Sequence, residues 1–195
     1  MKMTVLESIA DIRTGYTFRK AISLQDSTGL LGLQISDLRQ KNVIESSALP
    51  AIQWPGKGRP PVLGLGDVVI VAKGSENNAA IFLDPKHRVV PSSQLLILTV
   101  KDTRQVSSKF LCWLLNSHET QRKISEFHSG TKIYSISKKD LQKIPVPVPE
   151  LETQEKILSL ACIFDDETRL THALLRNREV MVREMSKKLL YGETK

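Results

Sequence analysis

The side chains that most often act in catalysis, cysteine and histidine, are few in this sequence and far apart. Cys112 and Cys162 lie fifty positions from each other, and neither has the close Cys or His neighbours that a zinc site needs. Both stand among apolar residues, which favours reduced core positions over a nucleophile paired with histidine. The histidines lack the H-E-x-x-H spacing of zinc proteases, so surface positions are expected for them. The sequence therefore predicts no metal site and no catalytic residue.

Glycine-rich segments do not match the patterns that cradle phosphate groups. Neither G-x-G-x-x-G nor G-x-x-x-x-G-K-[ST] occurs in the sequence. Gly56-Lys57-Gly58 and Gly64-Leu65-Gly66 are followed by residues that fit neither pattern, and they precede strands rather than helices. We therefore expect no bound nucleotide and no other cofactor.

A first polar segment, Lys73-Gly74-Ser75-Glu76-Asn77-Asn78, carries side-chain types that read DNA bases. Asparagine amides match adenine edges, and a lysine matches guanine or a phosphate. Gly74 would permit a close approach of the backbone. Lys73, Ser75, Asn77 and Asn78 are therefore candidate DNA contacts. The alternative is that this segment is only the solvated tip of a hairpin.

A second polar segment, residues 129–135, offers a cation at Lys132 and an aromatic ring at Tyr134 that could stack on a base or contact sugar. The alternative is a loop that only supports a domain junction. Isolated surface charges are usually just solvated, so only part of a looser set is expected to contact DNA. That set consists of Arg19, Lys20, Gln34, Ser36, Arg39, Lys57 and Arg59.

The positive charge of the chain belongs to its first part. The formal net charge is +7, and residues 1–149 contain 20 Lys and Arg against 12 Asp and Glu. Residues 150–195 contain 8 against 9. A basic segment followed by a nearly neutral one indicates that the first part meets an anionic partner.

The elements that must position these side chains follow an α+β pattern with a mixed sheet. Apolar residues at 5, 6, 9 and 12 predict a short amphipathic helix that ends at Gly15, and helical spacing returns between 110 and 127. Glycine and proline at 53–61 predict a loop that contains Trp54, for which, as for Trp113, a core position is expected. Strands are predicted at 22–24, 31–35, 43–44, 68–72, 79–83 and 95–100, with a hairpin joining 68–72 to 79–83.

The end of the chain carries the clearest local signals. Ser137-Lys138-Lys139-Asp140 has the shape of a capping box ahead of one helical turn, and the prolines at 145, 147 and 149 demand an extended segment. Helical character then runs from 150 to 191 without proline or glycine. These signals predict an α+β domain at 1–149 and a long helix at 150–195.

The predicted helix has an apolar stripe and needs a partner. Leu175, Val182 and Leu189 lie seven apart, with Met185 beside them. A helix of this length would extend about 60 Å, more than a compact domain covers. No segment reaches the ~20 apolar residues that span a bilayer, so we expect a cytoplasmic protein without membrane contact.

The order of four segments resembles the target-recognition domain of type I restriction-modification specificity subunits. These segments are Gly66 to Val69, Lys73 to Ala79, Pro91 to Leu95 and Phe110 to Asn116. The resemblance continues through Ser129-Gly130-Thr131, Ile136 to Leu141 and Ile144 to Pro149, and ends in Leu151 to Ile157, which look like that family's junction between recognition domain and conserved helix. A complete specificity subunit has two recognition domains and two helices, whereas this chain has one of each.

The resemblance implies that residues 1–149 form a DNA-reading domain, while separate methyltransferase and restriction subunits methylate and cleave. It also implies a half-length form of the subunit. The helix stripe at Leu175, Val182, Met185 and Leu189 then fits a homodimer or contact with the methyltransferase subunit, and the alternative is a mere strut. A rival from another class is a protein-binding adaptor or inhibitor whose basic face meets an acidic protein. A stand-alone nuclease is a weaker rival because the sequence offers no cluster of metal ligands.

Overall fold

The computed structural model describes residues 2–18, 29–39, 41–54, 58–74, 76–127 and 134–192, with Lys2 and Tyr134 described by their backbone alone. Within these ranges the chain forms strands β1 (Lys2–Val5), β2 (Ala10–Thr14), β3 (Leu30–Leu33), β4 (Ala51–Ile52), β5 (Val68–Val71), β6 (Lys73–Gly74), β7 (Ala79–Ile81), β8 (Arg88–Pro91), β9 (Leu95–Val100), β10 (Tyr134–Ser135) and β11 (Pro145–Val148). The helices are α1 (Leu6–Ile9), α2 (Ser108–Asn116), α3 (His118–Ser125), α4 (Lys138–Lys143) and α5 (Leu151–Tyr191), with two 3-10 helices at Ile35–Leu38 and Ser46–Ala48. The chain divides into two compact units, Met1–Gln154 and Glu155–Lys195.

The first unit is built on a four-stranded antiparallel sheet in the order β2-β9-β5-β7. All four residues of β5 are buried, because the strand is central and both of its faces are covered. Val69 and Val71 join a cluster with Leu33, Leu38 and Phe82, whereas helix α2 packs against β5 and β7. The predicted hairpin and the predicted strand at 95–100 are both confirmed. The strand predicted at 22–24 lies outside the described residues.

A second sheet makes the architecture mixed. Strand β3 pairs antiparallel with β4 and parallel with β8, and their apolar residues Leu30, Ile52 and Val90 form a smaller cluster. The parallel pair agrees with the long stretch of chain between the two strands, since parallel strands need a crossover connection. The predicted α+β class with a mixed sheet is confirmed.

The N-terminal segment departs from the helix predicted at 5–12. Only Leu6–Ile9 is helical, and residues 10–14 form strand β2 along β9, from Ala10 opposite Val100 to Thr14 opposite Leu96. Apolar residues at 9, 10 and 12 satisfy a strand as well as a helix, and pairing with β9 decided between the two patterns. Gly15 then permits a close approach, because a Cβ atom there would overlap the backbone oxygen of Ser92.

The segment with alternating prolines forms strand β11, as its extended conformation was predicted. It pairs antiparallel with β1, with Val146 opposite Thr4 and Val148 opposite Lys2. Alternate residues of a strand direct their backbone N–H and C=O groups to opposite edges. The backbone groups of the two valines therefore face β1, and those of the prolines, which have no N–H, face the other edge. There the Lys123 ammonium donates to the carbonyl of Pro145 at 2.7 Å.

Serine caps begin the short helices that frame this strand. Ser107 Oγ accepts from the backbone N–H of Phe110 at 3.1 Å at the start of α2. Ser137 Oγ accepts from the N–H of Asp140 at 3.2 Å and donates to the Asp140 carboxylate at 2.6 Å. The cap predicted from Ser137 and Asp140 is therefore confirmed, and helix α4 ends at Lys143.

Helix α5 confirms the long helix predicted after the prolines and has 41 residues. Its first turn belongs to the first unit, where the fully buried Gln154 joins three backbone groups. The Gln154 amide oxygen accepts from Ser107 N–H at 3.0 Å, and its amide nitrogen donates to the carbonyls of Gln105 at 2.7 Å and Pro149 at 2.8 Å. Cys162, expected in a core, is exposed on this helix because no apolar residue covers it within its own unit.

Candidate nucleic-acid interface

Strands β6 and β10 bring the two predicted polar segments side by side. The strands pair antiparallel, with Tyr134 opposite Gly74 and Ser135 opposite Lys73. The Ile136 N–H donates to the carbonyl of Ala72 at 2.9 Å and extends this pairing. Two segments separated by about sixty residues in sequence therefore share one small ribbon, an arrangement that a β-ribbon reader of DNA also uses.

Lys73 contributes a cation to this ribbon. Its side chain is exposed, and it has no hydrogen-bond or ion-pair partner in the part of the chain that the structure describes. The neighbouring Gly74 is tightly placed, because a Cβ atom there would lie 3.0 Å from Val71 Cγ1. Among the described residues, the ribbon thus presents an ammonium group without a partner next to a glycine, and this combination suits a phosphate or a guanine edge.

Asn77 is buried within the hairpin. The residue is 4% exposed, and its amide nitrogen donates to the carbonyl of Val71 at 2.7 Å. Its own carbonyl accepts from the Gln121 side chain at 2.9 Å. The Asn77 side chain is therefore engaged within the hairpin, and its contact with DNA stays a prediction.

Asn78 also works within the protein. Its amide nitrogen donates to the carbonyls of Leu38 at 2.7 Å and Lys41 at 3.2 Å, which ties the hairpin to the end of the first 3-10 helix. Asn116 completes the support by accepting from Ala79 N–H and donating to its carbonyl, both at 2.8 Å. Sequence reasoning missed this amide network, although amides directly after a buried strand are typical of side chains that satisfy turn backbone.

A concave pocket of about 310 Å³ lies between the first 3-10 helix and β6. Its polar lining is formed by Ser36, Arg39, Glu76 and Asn78. Arg39 and Glu76 are exposed and have no partner among the described residues, whereas Asp37 accepts from Gln34 N–H at 2.8 Å and fixes the 3-10 helix. An arginine can donate to guanine and a glutamate can accept from cytosine, so the pocket holds two side chains whose chemistry matches base edges.

Arg59 belongs to another part of the first unit. It is exposed and follows Gly58, whose carbonyl accepts from the Trp54 indole N–H at 3.0 Å. The Trp54 ring lies 4.6 Å from that of Tyr16, and both pack on the cluster of the three-stranded sheet. Trp54 is therefore partly buried and anchors the loop, while Arg59 faces solvent.

Several predicted contacts lie outside the described residues. These are Arg19, Lys20, Lys57, Ser75 and Lys132. Tyr134 is described by its backbone, which pairs with Gly74.

Two residues of types that often act in catalysis, Cys112 and His87, lie in a buried site and in a short turn. Cys112 is 4% exposed, and burial raises the pKa of its thiol to about 12, which keeps it protonated. Trp113 is half-buried and stacks on Phe110 at 5.7 Å. The pKa of the half-buried Asp84 is lowered, first by a hydrogen bond from the Lys86 N–H and then by one with His87, within one turn. The described ranges contain no group of three His, Cys, Asp or Glu that could hold a metal ion.

No helix in the described part of the chain combines the length and apolar character needed to cross a membrane.

Three solved structures share this fold at low sequence identity. The S subunit of a type I restriction-modification system from M. genitalium is 16% identical with a TM-score of 0.58, over 96% of this chain and 45% of that chain. The HsdS subunit from Thermoanaerobacter tengcongensis is 20% identical with a TM-score of 0.60, over 90% and 39%. A third structure, described as showing the structural basis of complex assembly and conformational transition of the type I R-M system, is 21% identical with a TM-score of 0.61. The match covers 96% of this chain and 43% of that chain.

This chain spans less than half of the length of each of these structures. There is no significant match to a curated protein. Residues 1–177 match the family described as the type I restriction modification DNA specificity domain, which is most of the chain. The chain therefore belongs to the family of type I restriction-modification DNA specificity domains.

Proposed function

We propose that this chain is the DNA-reading component of a type I restriction-modification complex and performs no chemistry itself. In this role it directs a separate methyltransferase subunit and a separate restriction subunit to one DNA sequence in the cytoplasm. The family match supports the reading role, and the observation that carries it to particular residues is the β6–β10 ribbon with its unpaired Lys73.

The proposed reading surface is the ribbon together with the pocket beside it. Lys73 contacts a phosphate or guanine, while Arg39 and Glu76 offer a donor and an acceptor to base edges. Ser75, Lys132 and Tyr134 belong to the same two segments and remain proposed contacts. Arg19, Lys20, Lys57 and Arg59 are proposed as a second, phosphate-binding set, because scattered cations fix the register of a protein on DNA.

We further propose that two copies of the chain associate through α5. The stripe predicted from the sequence is exposed, with Leu175 at 50%, Val182 at 64%, Met185 at 61% and Leu189 at 86%. An exposed apolar helix face of this length is covered in most proteins by another helix. Two identical readers related by a two-fold axis recognise inverted half-sites, so the target would be a bipartite palindrome.

The experiment is a DNA-binding selection on the full chain with a random duplex library, followed by anisotropy titrations of the selected sequence. A reader binds the selected duplex at least about a thousandfold more tightly than random duplex, and its affinity falls steeply with salt. Equal affinity for selected and random duplex would contradict the proposal and favour an adaptor with a basic face. Cleavage of plasmid by the purified chain with magnesium would contradict the absence of chemistry.

A further inference from the structure

Helix α5 carries a line of exposed residues with the spacing of a two-helix seam. Steps of four and three residues alternate along it, which keeps one face of a helix turned toward a partner helix. The seam consists of Leu160, Phe164, Glu167, Thr171, Leu174, Arg178, Met181 and Met185, all exposed within the described chain. Five of the eight are large and apolar, between 52% and 67% exposed.

Two opposite charges interrupt this seam. Glu167 and Arg178 lie eleven positions apart, or about 16 Å along the helix, too far for them to pair with each other in one chain. Neither has a hydrogen-bond or ion-pair partner within the ranges that the structure describes. A partner that covers the apolar residues must also place an opposite charge against each of these two residues, because an unpaired charge in a covered seam is costly.

A second copy of the helix in antiparallel orientation supplies an opposite charge at both positions. When Glu167 lies opposite Arg178 of the second copy, two-fold symmetry places Arg178 opposite Glu167 of that copy. The same register aligns the remaining seam positions as Leu160 with Met185, Phe164 with Met181 and Thr171 with Leu174. Each charged residue of the seam thus faces a residue of opposite charge. The neighbouring pairs of facing residues are apolar or include the small hydroxyl of Thr171.

The other simple arrangements bury an unmatched charge. A parallel pair in register places Glu167 opposite Glu167 and Arg178 opposite Arg178. Sliding the antiparallel pair by one heptad places Arg178 opposite Leu160 in one direction and opposite Leu174 in the other. Charge complementarity therefore selects both the orientation and the register.

We propose that α5 binds a second copy of this chain antiparallel, with Glu167 opposite Arg178 of that copy, and that these two charged layers select which chains can pair. This inference rests on the homodimer in the proposed function and specifies its geometry. The seam shares Met185 with the stripe, and Leu175 and Val182 each directly follow a seam residue, so the stripe borders the seam along one side. A chain that would place a like charge opposite Glu167 or Arg178 is excluded from mixed dimers with this chain.

The test measures dimerisation of the full chain by sedimentation and native mass spectrometry. Glu167→Arg and Arg178→Glu each place like charges in both layers, and each raises the dimer dissociation constant about tenfold or more. The double variant E167R/R178E restores dimerisation. An equimolar mixture of the two single variants forms mixed dimers in preference to either homodimer, because both of its layers then hold opposite charges.

A matched control exchanges charges away from the seam, with Glu179→Arg and Arg176→Glu, and leaves the dissociation constant unchanged. Helical circular dichroism verifies folding, and Glu167→Gln and Arg178→Gln replace any variant that loses helicity. Single variants that dimerise like the unmodified chain, or a mixture with statistical pairing, would overturn the register. A monomeric chain that still selects one DNA sequence overturns this inference and leaves the reading function in place. A dimer that responds to these charges but does not select a DNA sequence supports this inference and contradicts the reading function.

Discussion

The two cysteines have opposite surroundings, although the sequence placed both among apolar residues. Burial raises the pKa of Cys112 to about 12, so at pH 8 almost none of it is the reactive thiolate. Cys162 is exposed. We expect iodoacetamide to modify the folded chain once, at Cys162, and to modify Cys112 only in denaturant or above the pH at which its thiol ionises. Mass spectrometry of peptides checks this, and rapid labelling of Cys112 in the folded chain would contradict its burial.

Gln154 is expected to contribute to stability through its three hydrogen bonds. Gln154→Ala leaves one buried N–H and two carbonyls without these partners, and an orphaned buried group costs about 1–3 kcal/mol. The free energy of unfolding in urea should fall by about 2–4 kcal/mol. Thr153→Ala, on the exposed side of the same turn, is the matched control and should change it by less than about 0.5 kcal/mol. An unchanged unfolding midpoint for Gln154→Ala would show that water replaces these bonds.

Lys73 and Asn77 lie four residues apart, and their substitution is expected to change different properties, DNA affinity for Lys73 and stability for Asn77. Lys73→Ala should keep the unfolding free energy and weaken binding to the selected DNA by about 1–3 kcal/mol if a base contact is lost. Asn77→Ala should lower the unfolding free energy by about 1–3 kcal/mol, because the carbonyl of Val71 loses its donor. The exposed Lys86→Ala is the control for charge alone. If Asn77→Ala alters sequence preference at full stability, its assignment to the hairpin turn is wrong.

At the scale of elements, local chemistry was predictable and long-range pairing was not. The cap at Ser137, the extended prolines and the helix from 151 to 191 depend on neighbouring residues, so their signals stand in the sequence. Strand β2 depends on β9, which lies more than eighty residues away, and the local pattern favoured a helix instead. The β6–β10 ribbon is of the same kind. Both segments were identified, and only the fold could show that they are adjacent.

The stripe of α5 makes a prediction for the whole molecule. Val182→Glu with Leu189→Glu places charge on the exposed apolar face and should give a monomer with a folded first unit. Linked readers gain affinity through effective concentration, so this variant should lose about 100-fold in affinity for a bipartite palindrome and little for a single half-site. Anisotropy titrations with both duplexes measure the difference.

The control for this pair is Val180→Glu with Leu190→Glu, at exposed positions off the stripe, which should bind like the unmodified chain. Light scattering at micromolar concentration, with and without a methyltransferase subunit, establishes the oligomeric state. A monomer in both conditions would contradict the proposed homodimer. A charged-stripe variant that still prefers paired half-sites would show that another part of the chain sets their spacing.

The pairing of β1 with β11 also governs when the first unit can fold. Lys2 lies opposite Val148, so the first strand of the chain has its partner about 145 residues downstream. Closing a loop of that length costs about 4 kcal/mol of chain entropy beyond the constant term, and such contacts form late in folding. During synthesis β1 leaves the ribosome before its partner strand and stays unpaired until residue 148 has emerged. Nearly the whole unit must therefore be made before its two ends can close, which leaves β1 an unpaired strand edge for most of translation.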